Sequence, residues 1–156
     1  PVLFVIENNL YGMGTAISRT TSIEHLEQRA LAFDMKHSKI DGLDVMGIYD
    51  HVHPVIEKMR KDKSPYLLEV KTYRYKGHSV SDPATYRSKE ELEVYKQKDP
   101  IIKLRDYILE KKLEKEARLE QIMKEASAEV KKSEEFADQS SNPSIDTLYK
   151  YVFSED

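Results

Sequence analysis

The stretch that decides the fold is residues 1–15, which read PVLFVIENNLYGMGT. Val2 to Ile6 is a run of five apolar residues with no polar lead-in. Such a run predicts a strand that is buried on both faces, as in a parallel sheet covered by helices. A strand of this kind needs neighbours. We therefore expect that the sequence begins inside a larger domain, with further strands of the sheet upstream.

Composition narrows the class of protein. The 156 residues carry a formal net charge of -3 and include no cysteine. The charge gives no electrostatic reason for binding nucleic acid or an anionic membrane, and the lack of cysteine excludes disulfides and thiolate metal sites in this segment. No stretch reaches the roughly 20 apolar residues that span a bilayer, so a soluble protein is expected.

The first half of the chain predicts an α/β fold with a parallel sheet flanked by helices. After the opening strand, residues 44–49 form a plausible second strand and residues 66–73 a third. Between them, residues 52–61 place apolar side chains at helical spacing. Strand, helix and strand in this order are typical of a parallel sheet.

The second half of the chain differs from the first in its charge content and in the spacing of its apolar residues. Residues 88–138 are crowded with charges of both signs, and their apolar positions recur at the spacing of two or three amphipathic helices. Ser88 is predicted to cap the first of them, because Glu91 follows three residues later. Residues 142–144 end the helical stretch, and residues 148–153 form a short apolar tail. We divide the chain into an α/β part, residues 1–87, and a helical C-terminal region, residues 88–156, that packs on the sheet or on a partner subunit.

Polar groups follow two of the predicted strands at their carboxyl ends, where parallel sheets bind ligands. Asn8 and Asn9 end the first strand, and two glycines, Gly12 and Gly14, follow them. The amides suit a hard cation, yet the same residue types also make an ordinary turn. Residues 75–87, YKGHSVSDPATYR, follow the third strand and place a histidine among hydroxyl groups. This loop is predicted to carry chemistry.

These segments resemble the alpha subunits of thiamine-diphosphate-dependent 2-oxo acid dehydrogenases, of the pyruvate dehydrogenase type. ENNLYGMGT (residues 7–15) is similar to the end of the thiamine diphosphate motif. DGLD (residues 41–44) and TYRYKGHSVSDP (residues 72–83) are similar to later segments of the same family and stand in the same order. The resemblance implies a thiamine-diphosphate-binding fold. Residues 19–40 match the family only loosely, and no contact is predicted for them.

The resemblance also implies roles for single residues. Asn9 would bind Mg²⁺ through its side chain and contact the diphosphate, and Tyr11 would offer its backbone carbonyl to the metal. Gly12 would contact the cofactor. His78 would reach the diphosphate and the reacting centre, and is the predicted catalytic residue. Ser79 stands where eukaryotic members are phosphorylated, although its hydroxyl is also suited to a hydrogen bond within the loop.

The implied activity is oxidative decarboxylation of pyruvate with transfer of the acetyl group to the lipoyl group of an acyltransferase component. Branched-chain 2-oxo acid and acetoin dehydrogenases are the alternatives within the family. The implied partners are a beta subunit, in an α2β2 heterotetramer, and the lipoyl domain. The implied location is the bacterial cytoplasm or an organellar matrix, and the segment alone is expected to be inactive.

Two rival interpretations lie outside the family. GHSVS (residues 77–81) resembles the nucleophile elbow of α/β-hydrolases, which would make Ser79 a nucleophile, but Ser81 stands where that turn needs glycine. The charged helices instead suit a non-catalytic interaction module. Their apolar positions do not keep a seven-residue repeat for long, which disfavours a coiled coil.

Overall fold

The computed structural model describes residues 1–150 and 152–154. The chain forms two compact units, the first comprising Pro1–Tyr107 and the second beginning at Ile108. The proposed division at residue 88 stays a prediction. The described part contains no helix of the length and apolarity that crossing a membrane requires.

The first unit is built on a parallel sheet of three strands in the order β1-β5-β4. The strands are β1 (Leu3–Asn8), β4 (Lys36–Asp41) and β5 (Tyr66–Lys71). In the register of the sheet Lys71 faces both Asn8 and Asp41, so all three strands end at the same edge. The predicted α/β class, with a parallel sheet flanked by helices, is confirmed.

The opening strand, predicted to be buried on both faces within a larger sheet, is partly exposed in the described chain. Phe4 is 48% exposed and Val5 is 54% exposed. The reason is position, because β1 lies at the edge of the described sheet with β5 as its hydrogen-bonded neighbour. The strand that is buried on both faces is β5, where Leu67, Leu68 and Glu69 are consecutive buried residues.

The predicted strand at residues 44–49 is also wrong, since these residues begin helix α2 (Val45–Asp62). Asp44 caps this helix, and its carboxylate accepts a hydrogen bond from the Gly47 N–H at 3.0 Å. The third strand of the sheet is instead β4, which ends at Asp41, the first residue of the DGLD segment, and is mostly polar. The helix predicted at residues 52–61 is confirmed as part of α2.

Shorter elements connect the strands. A two-stranded antiparallel hairpin, β2 (Tyr11–Gly12) and β3 (Thr15–Ala16), is followed by the single turn α1 (Ile17–Thr20). A 3₁₀ helix, Leu26–Phe33, then packs on β4 and β5. The buried apolar side chains of the core come from the 3₁₀ helix, β5, α2 and the loops that precede α2 and follow β5; they are Leu26, Ala30, Leu43, Met59, Leu67, Leu68 and Tyr73.

The helices predicted in the second half are confirmed. They are α3 (Lys89–Lys96), α4 (Pro100–Glu110) and α5 (Glu116–Gln139), followed by a short 3₁₀ helix, Ile145–Thr147. Ser88 caps α3 as predicted, because its hydroxyl accepts a hydrogen bond from the Glu91 N–H at 3.0 Å. In the predicted apolar tail, residue 151 lies outside the described residues.

Candidate functional site

The turn after β1 is anchored by a buried amide. Asn8 is 5% exposed, and its side-chain N–H donates to the Glu69 carboxylate at 2.7 Å. The Asn8 side-chain oxygen accepts the Leu10 N–H at 3.1 Å. Asn8 therefore satisfies its own polar groups within the protein and joins the turn to the central strand β5.

Glu69 is the most deeply buried charged side chain described, with an exposure of 0%. Its second oxygen accepts the Glu27 N–H at 3.2 Å, from the 3₁₀ helix. Burial by itself raises the pKa of the Glu69 carboxyl, but hydrogen bonds to Glu27 and Asn8, together with the charge of Lys39, outweigh it and hold the pKa below its usual value. Glu69 thus accepts these bonds as a carboxylate.

Leu10 adopts a backbone conformation that leucine disfavours. Its φ is 73°, in the left-handed region, which costs an L-residue about 1–2 kcal/mol. Two hydrogen bonds hold it, one from the Leu10 N–H to Asn8 and one from the Ile17 N–H to the Leu10 carbonyl at 2.9 Å. The strained residue lies between Asn9 and Tyr11, so it sets how these two residues face outward.

Asn9 and Tyr11 lie on the open side of this turn and are half-buried. The Asn9 side-chain oxygen accepts the Tyr11 N–H at 3.2 Å, which orients the amide and leaves the second lone pair of that oxygen for another partner. The Tyr11 ring lies against the Tyr86 ring with centroids 5.2 Å apart. This contact brings the turn after β1 to the loop after β5.

The loop of residues 75–87 is organised around Asp82. Its carboxylate accepts hydrogen bonds from the His78 N–H at 2.6 Å, the Ala84 N–H at 2.8 Å and the Tyr86 hydroxyl at 3.1 Å. The bonds from His78 and Ala84 are the main reason that the pKa of Asp82 is lowered. A Cβ on Gly77 would lie 2.5 Å from the Asp82 carbonyl oxygen, so the close turn requires glycine.

The two segments meet in one small cleft. Its lining comprises Asn9, Tyr11, Met13, Arg74, His78, Tyr86 and Arg87. Three residues predicted as a site from the sequence, Asn9, Tyr11 and His78, are therefore neighbours, while their chemical roles stay predictions. Gly12 does not line the cleft, and a Cβ there would meet nothing within 4 Å.

The charge of the cleft suits an anion. Arg74, Arg87 and His78 line it, and none of its described lining residues is a carboxylate. Arg87 is held in place because its guanidinium donates to the Arg74 carbonyl and, at 2.8 Å, to the Tyr75 carbonyl. Sequence reasoning missed both arginines, although they flank the histidine loop on either side.

The groups present also fit a share of a magnesium site. Mg²⁺ prefers oxygen ligands in octahedral geometry. The Asn9 side chain and the Tyr11 backbone carry such oxygens, and both residues line the cleft. The described residues contain no group of three or more histidine or acidic side chains that could hold a metal by themselves.

A second carboxylate joins the site to helix α3. Glu91 accepts the Tyr11 hydroxyl at 2.9 Å and the Tyr73 hydroxyl at 2.8 Å. Burial, and then the hydrogen bond and charge of Glu91, raise the pKa of Tyr73 to about 12. Tyr73 also stacks on Tyr95 of α3, with ring centroids 3.8 Å apart. The helix therefore supports both segments that form the cleft.

The surroundings of Ser79 do not form a nucleophile elbow. Its side chain is exposed, and its hydroxyl lies 3.1 Å from that of Ser81. The Asp82 N–H donates to the Ser79 carbonyl at 3.1 Å, which closes a turn. An elbow serine is followed directly by a helix, but here α3 begins only at Lys89.

Fold, cleft and sequence similarity define the same class of protein. Residues 1–146 match the family model of the dehydrogenase E1 component. The chain belongs to this family. Because the chain belongs to this family, the two rival interpretations, a serine hydrolase and a non-catalytic helical module, are rejected.

The names of individual relatives are more specific than the description of the family. The chain is 43% identical over 153 residues to the pyruvate dehydrogenase E1 component subunit alpha of Rickettsia bellii, covering 98% of this chain and 47% of that protein. It is 38% identical over 150 residues to the Rhizobium meliloti subunit, covering 96% of this chain and 43% of the relative. A chloroplastic subunit alpha-3 of Arabidopsis thaliana is 37% identical over 155 residues, covering 99% and 36%. The chain thus spans about half or less of each relative.

Proposed function

We propose that this chain is part of the alpha subunit of a pyruvate dehydrogenase that uses thiamine diphosphate and Mg²⁺. The complete enzyme would decarboxylate pyruvate oxidatively and transfer the acetyl group to a lipoyl group of the acyltransferase component. The observation that carries the proposal is the cleft where Asn9 and Tyr11 meet His78. Similarity to pyruvate dehydrogenase alpha subunits supports pyruvate as the substrate.

Each group of the cleft has a task that follows from its chemistry. Asn9 and Tyr11 would offer oxygens to Mg²⁺, which neutralises part of the charge of a diphosphate. Arg74 and Arg87 would balance the remaining negative charge. His78 would donate a hydrogen bond to a phosphate oxygen and exchange a proton while the acetyl group moves to the lipoyl group. When bound, thiamine diphosphate supplies the electron sink that decarboxylation requires.

The complete enzyme would contain further subunits. The cleft is open and small, and the chain covers about half of its relatives, so the remaining part of the site would come from the rest of the alpha subunit and from a beta subunit in an α2β2 heterotetramer. The lipoyl domain would dock at the same cleft. The location would be the bacterial cytoplasm or an organellar matrix. Phosphorylation of the exposed Ser79 would add negative charge near the cleft and so would oppose diphosphate binding.

The test uses the complete alpha subunit together with its beta subunit. Reduction of an artificial electron acceptor is measured with pyruvate, 2-oxoisovalerate and acetoin, with and without Mg²⁺ and thiamine diphosphate. We expect the highest kcat/KM with pyruvate and no activity without the cofactors. A preference for 2-oxoisovalerate or acetoin would assign the protein to one of the other members of the family instead.

The role of His78 is tested with a matched pair of variants. His78→Ala should lower acetyl transfer to a lipoyl domain by about 10²-fold or more, as expected for loss of a proton-transfer group. His53→Ala, which removes an exposed histidine from α2, serves as the control and should leave the transfer unchanged. Unimpaired transfer in His78→Ala would contradict the assignment.

A further inference from the structure

We infer that Glu69 is a positioning residue for the metal-binding turn. Glu69 lies in β5. None of the hydrogen bonds described above joins it to a residue that lines the cleft. The inference rests on the proposed function, because it concerns the same Asn9 and Tyr11 oxygens.

A buried carboxylate is unusual in the central strand of a sheet. Removing a charge from water is costly unless hydrogen bonds compensate it. Glu69 has an exposure of 0% and accepts from two groups that are distant in sequence, the Asn8 side chain and the Glu27 backbone. A neutral apolar side chain would fill this position in the core at lower cost. The carboxylate therefore serves the groups that it holds.

The chain of contacts leads from Glu69 to the metal oxygens. Glu69 orients the Asn8 amide, and Asn8 in turn holds the Leu10 N–H. Leu10 needs that support, because its left-handed conformation, with φ at 73°, is unfavourable for leucine. Without it, Leu10 would relax toward ordinary backbone angles. Relaxation would rotate the peptides on either side of Leu10 and separate the Asn9 and Tyr11 oxygens.

The Glu69 carboxylate also contacts a segment for which the sequence predicted no contact. Residues 19–40 include the 3₁₀ helix Leu26–Phe33, whose Glu27 N–H is bound by Glu69. The helix packs on β5, the strand that carries Glu69. Glu69 therefore accepts hydrogen bonds both from the 3₁₀ helix and from Asn8, which begins the metal-binding turn.

The experiment measures the dissociation constant of Mg²⁺ by calorimetry, at a fixed concentration of thiamine diphosphate, with the complete alpha and beta subunits. Glu69→Leu removes the acceptor, and we expect the dissociation constant to rise about tenfold, since binding must then impose the strained turn. Glu69→Gln keeps an oxygen for Asn8 and should stay within about threefold of the wild type.

Glu27→Gln is the matched control. It removes a carboxylate of similar burial, 8% exposed, from the same cluster but keeps the backbone N–H that Glu69 binds. We expect its Mg²⁺ affinity to stay within about twofold of the wild type. If Glu69→Leu does not fold, Asn8→Ala replaces it and should raise the dissociation constant by about the same factor of ten.

The thermal midpoint of the cofactor-free protein is measured in parallel. A Glu69→Leu or Asn8→Ala protein that is folded, less stable, and unchanged in Mg²⁺ affinity would overturn the inference, because Glu69 would then have only a structural role. Equal weakening in Glu27→Gln would overturn it as well. Failure of the wild-type protein to bind Mg²⁺ and thiamine diphosphate would instead refute the proposed function.

Discussion

Replacement of Tyr73 by phenylalanine tests the carboxylate that joins helix α3 to the cleft. Tyr73 is 8% exposed and donates its hydroxyl to Glu91 at 2.8 Å. Its pKa is raised from 10.0 to about 12, first by burial and then by Glu91, because both disfavour a phenolate. At neutral pH, Tyr73→Phe should therefore destabilise the protein by about 1.5–3 kcal/mol, the usual contribution of a hydrogen bond to a charged group.

The same pKa predicts how that loss changes with pH. Because the folded-state pKa of Tyr73 lies above the unfolded value, the folded protein keeps a proton that the unfolded chain releases first. The stabilisation is complete below pH 10 and is lost as the pH rises through 12. A shift of two units corresponds to a contribution on the order of 2–3 kcal/mol. Relative to Tyr73→Phe, the wild-type protein should lose this amount across that interval.

The assay is urea unfolding of the wild-type and variant proteins at a series of pH values from about 8 to 12, a range chosen from the ordinary and raised pKa values. Tyr49→Phe is the control, since Tyr49 is 65% exposed and its substitution should leave the pH dependence as it is in the wild type. The near-ultraviolet absorbance of tyrosinate gives a second readout, in which Tyr73→Phe should delete a late-titrating phenol. Parallel stability curves for wild type and Tyr73→Phe would refute the reasoning.

Two further predictions concern the backbone. Lys63 ends α2 with a positive φ of 54° and is exposed, so Lys63→Gly should stabilise the helix by about 0.5–1 kcal/mol, measured as slower hydrogen exchange of the α2 amides; faster exchange would contradict this. A Cβ on Gly42 would lie 2.6 Å from the Lys71 carbonyl oxygen. Gly42→Ala should therefore cost about 1–3 kcal/mol in urea unfolding, and an unchanged midpoint would show that the backbone yields.

The sequence predicted the class of fold but misplaced one strand, and the error has a physical cause. Residues 44–49 are mostly apolar, whereas β4 has only Ile40 as an aliphatic residue. The packing of β4 against β5, the 3₁₀ helix and α2 overrides its weak strand propensity. Asp44 was a sequence signal for the start of a helix, because aspartate is a preferred N-cap residue. Its side chain accepts the N–H of Gly47, three residues later.

The adjacent asparagines Asn8 and Asn9 have different roles, and the sequence predicts only one of them. Asn8 and Asn9 are identical in type and adjacent, but consecutive residues at a strand end point to opposite sides. Asn8 is buried on Glu69, while Asn9 lies on the cleft. Resemblance to the family selected Asn9. The Glu69 partner could not be predicted, since its contact with Asn8 spans 61 positions in the sequence.

The order of the strands explains why the cleft forms. β1 and β5 are neighbours, and Asn8 faces Lys71 in their register. The residues that follow each strand must therefore emerge side by side, which brings the turn containing Asn9 next to the segment that leads to His78. Adjacency alone leaves both segments free to move. Glu69 holds the first from inside the sheet, and Glu91 joins it to Tyr73 from α3. Two carboxylates outside the cleft thus orient groups that, as proposed, bind the metal and the diphosphate.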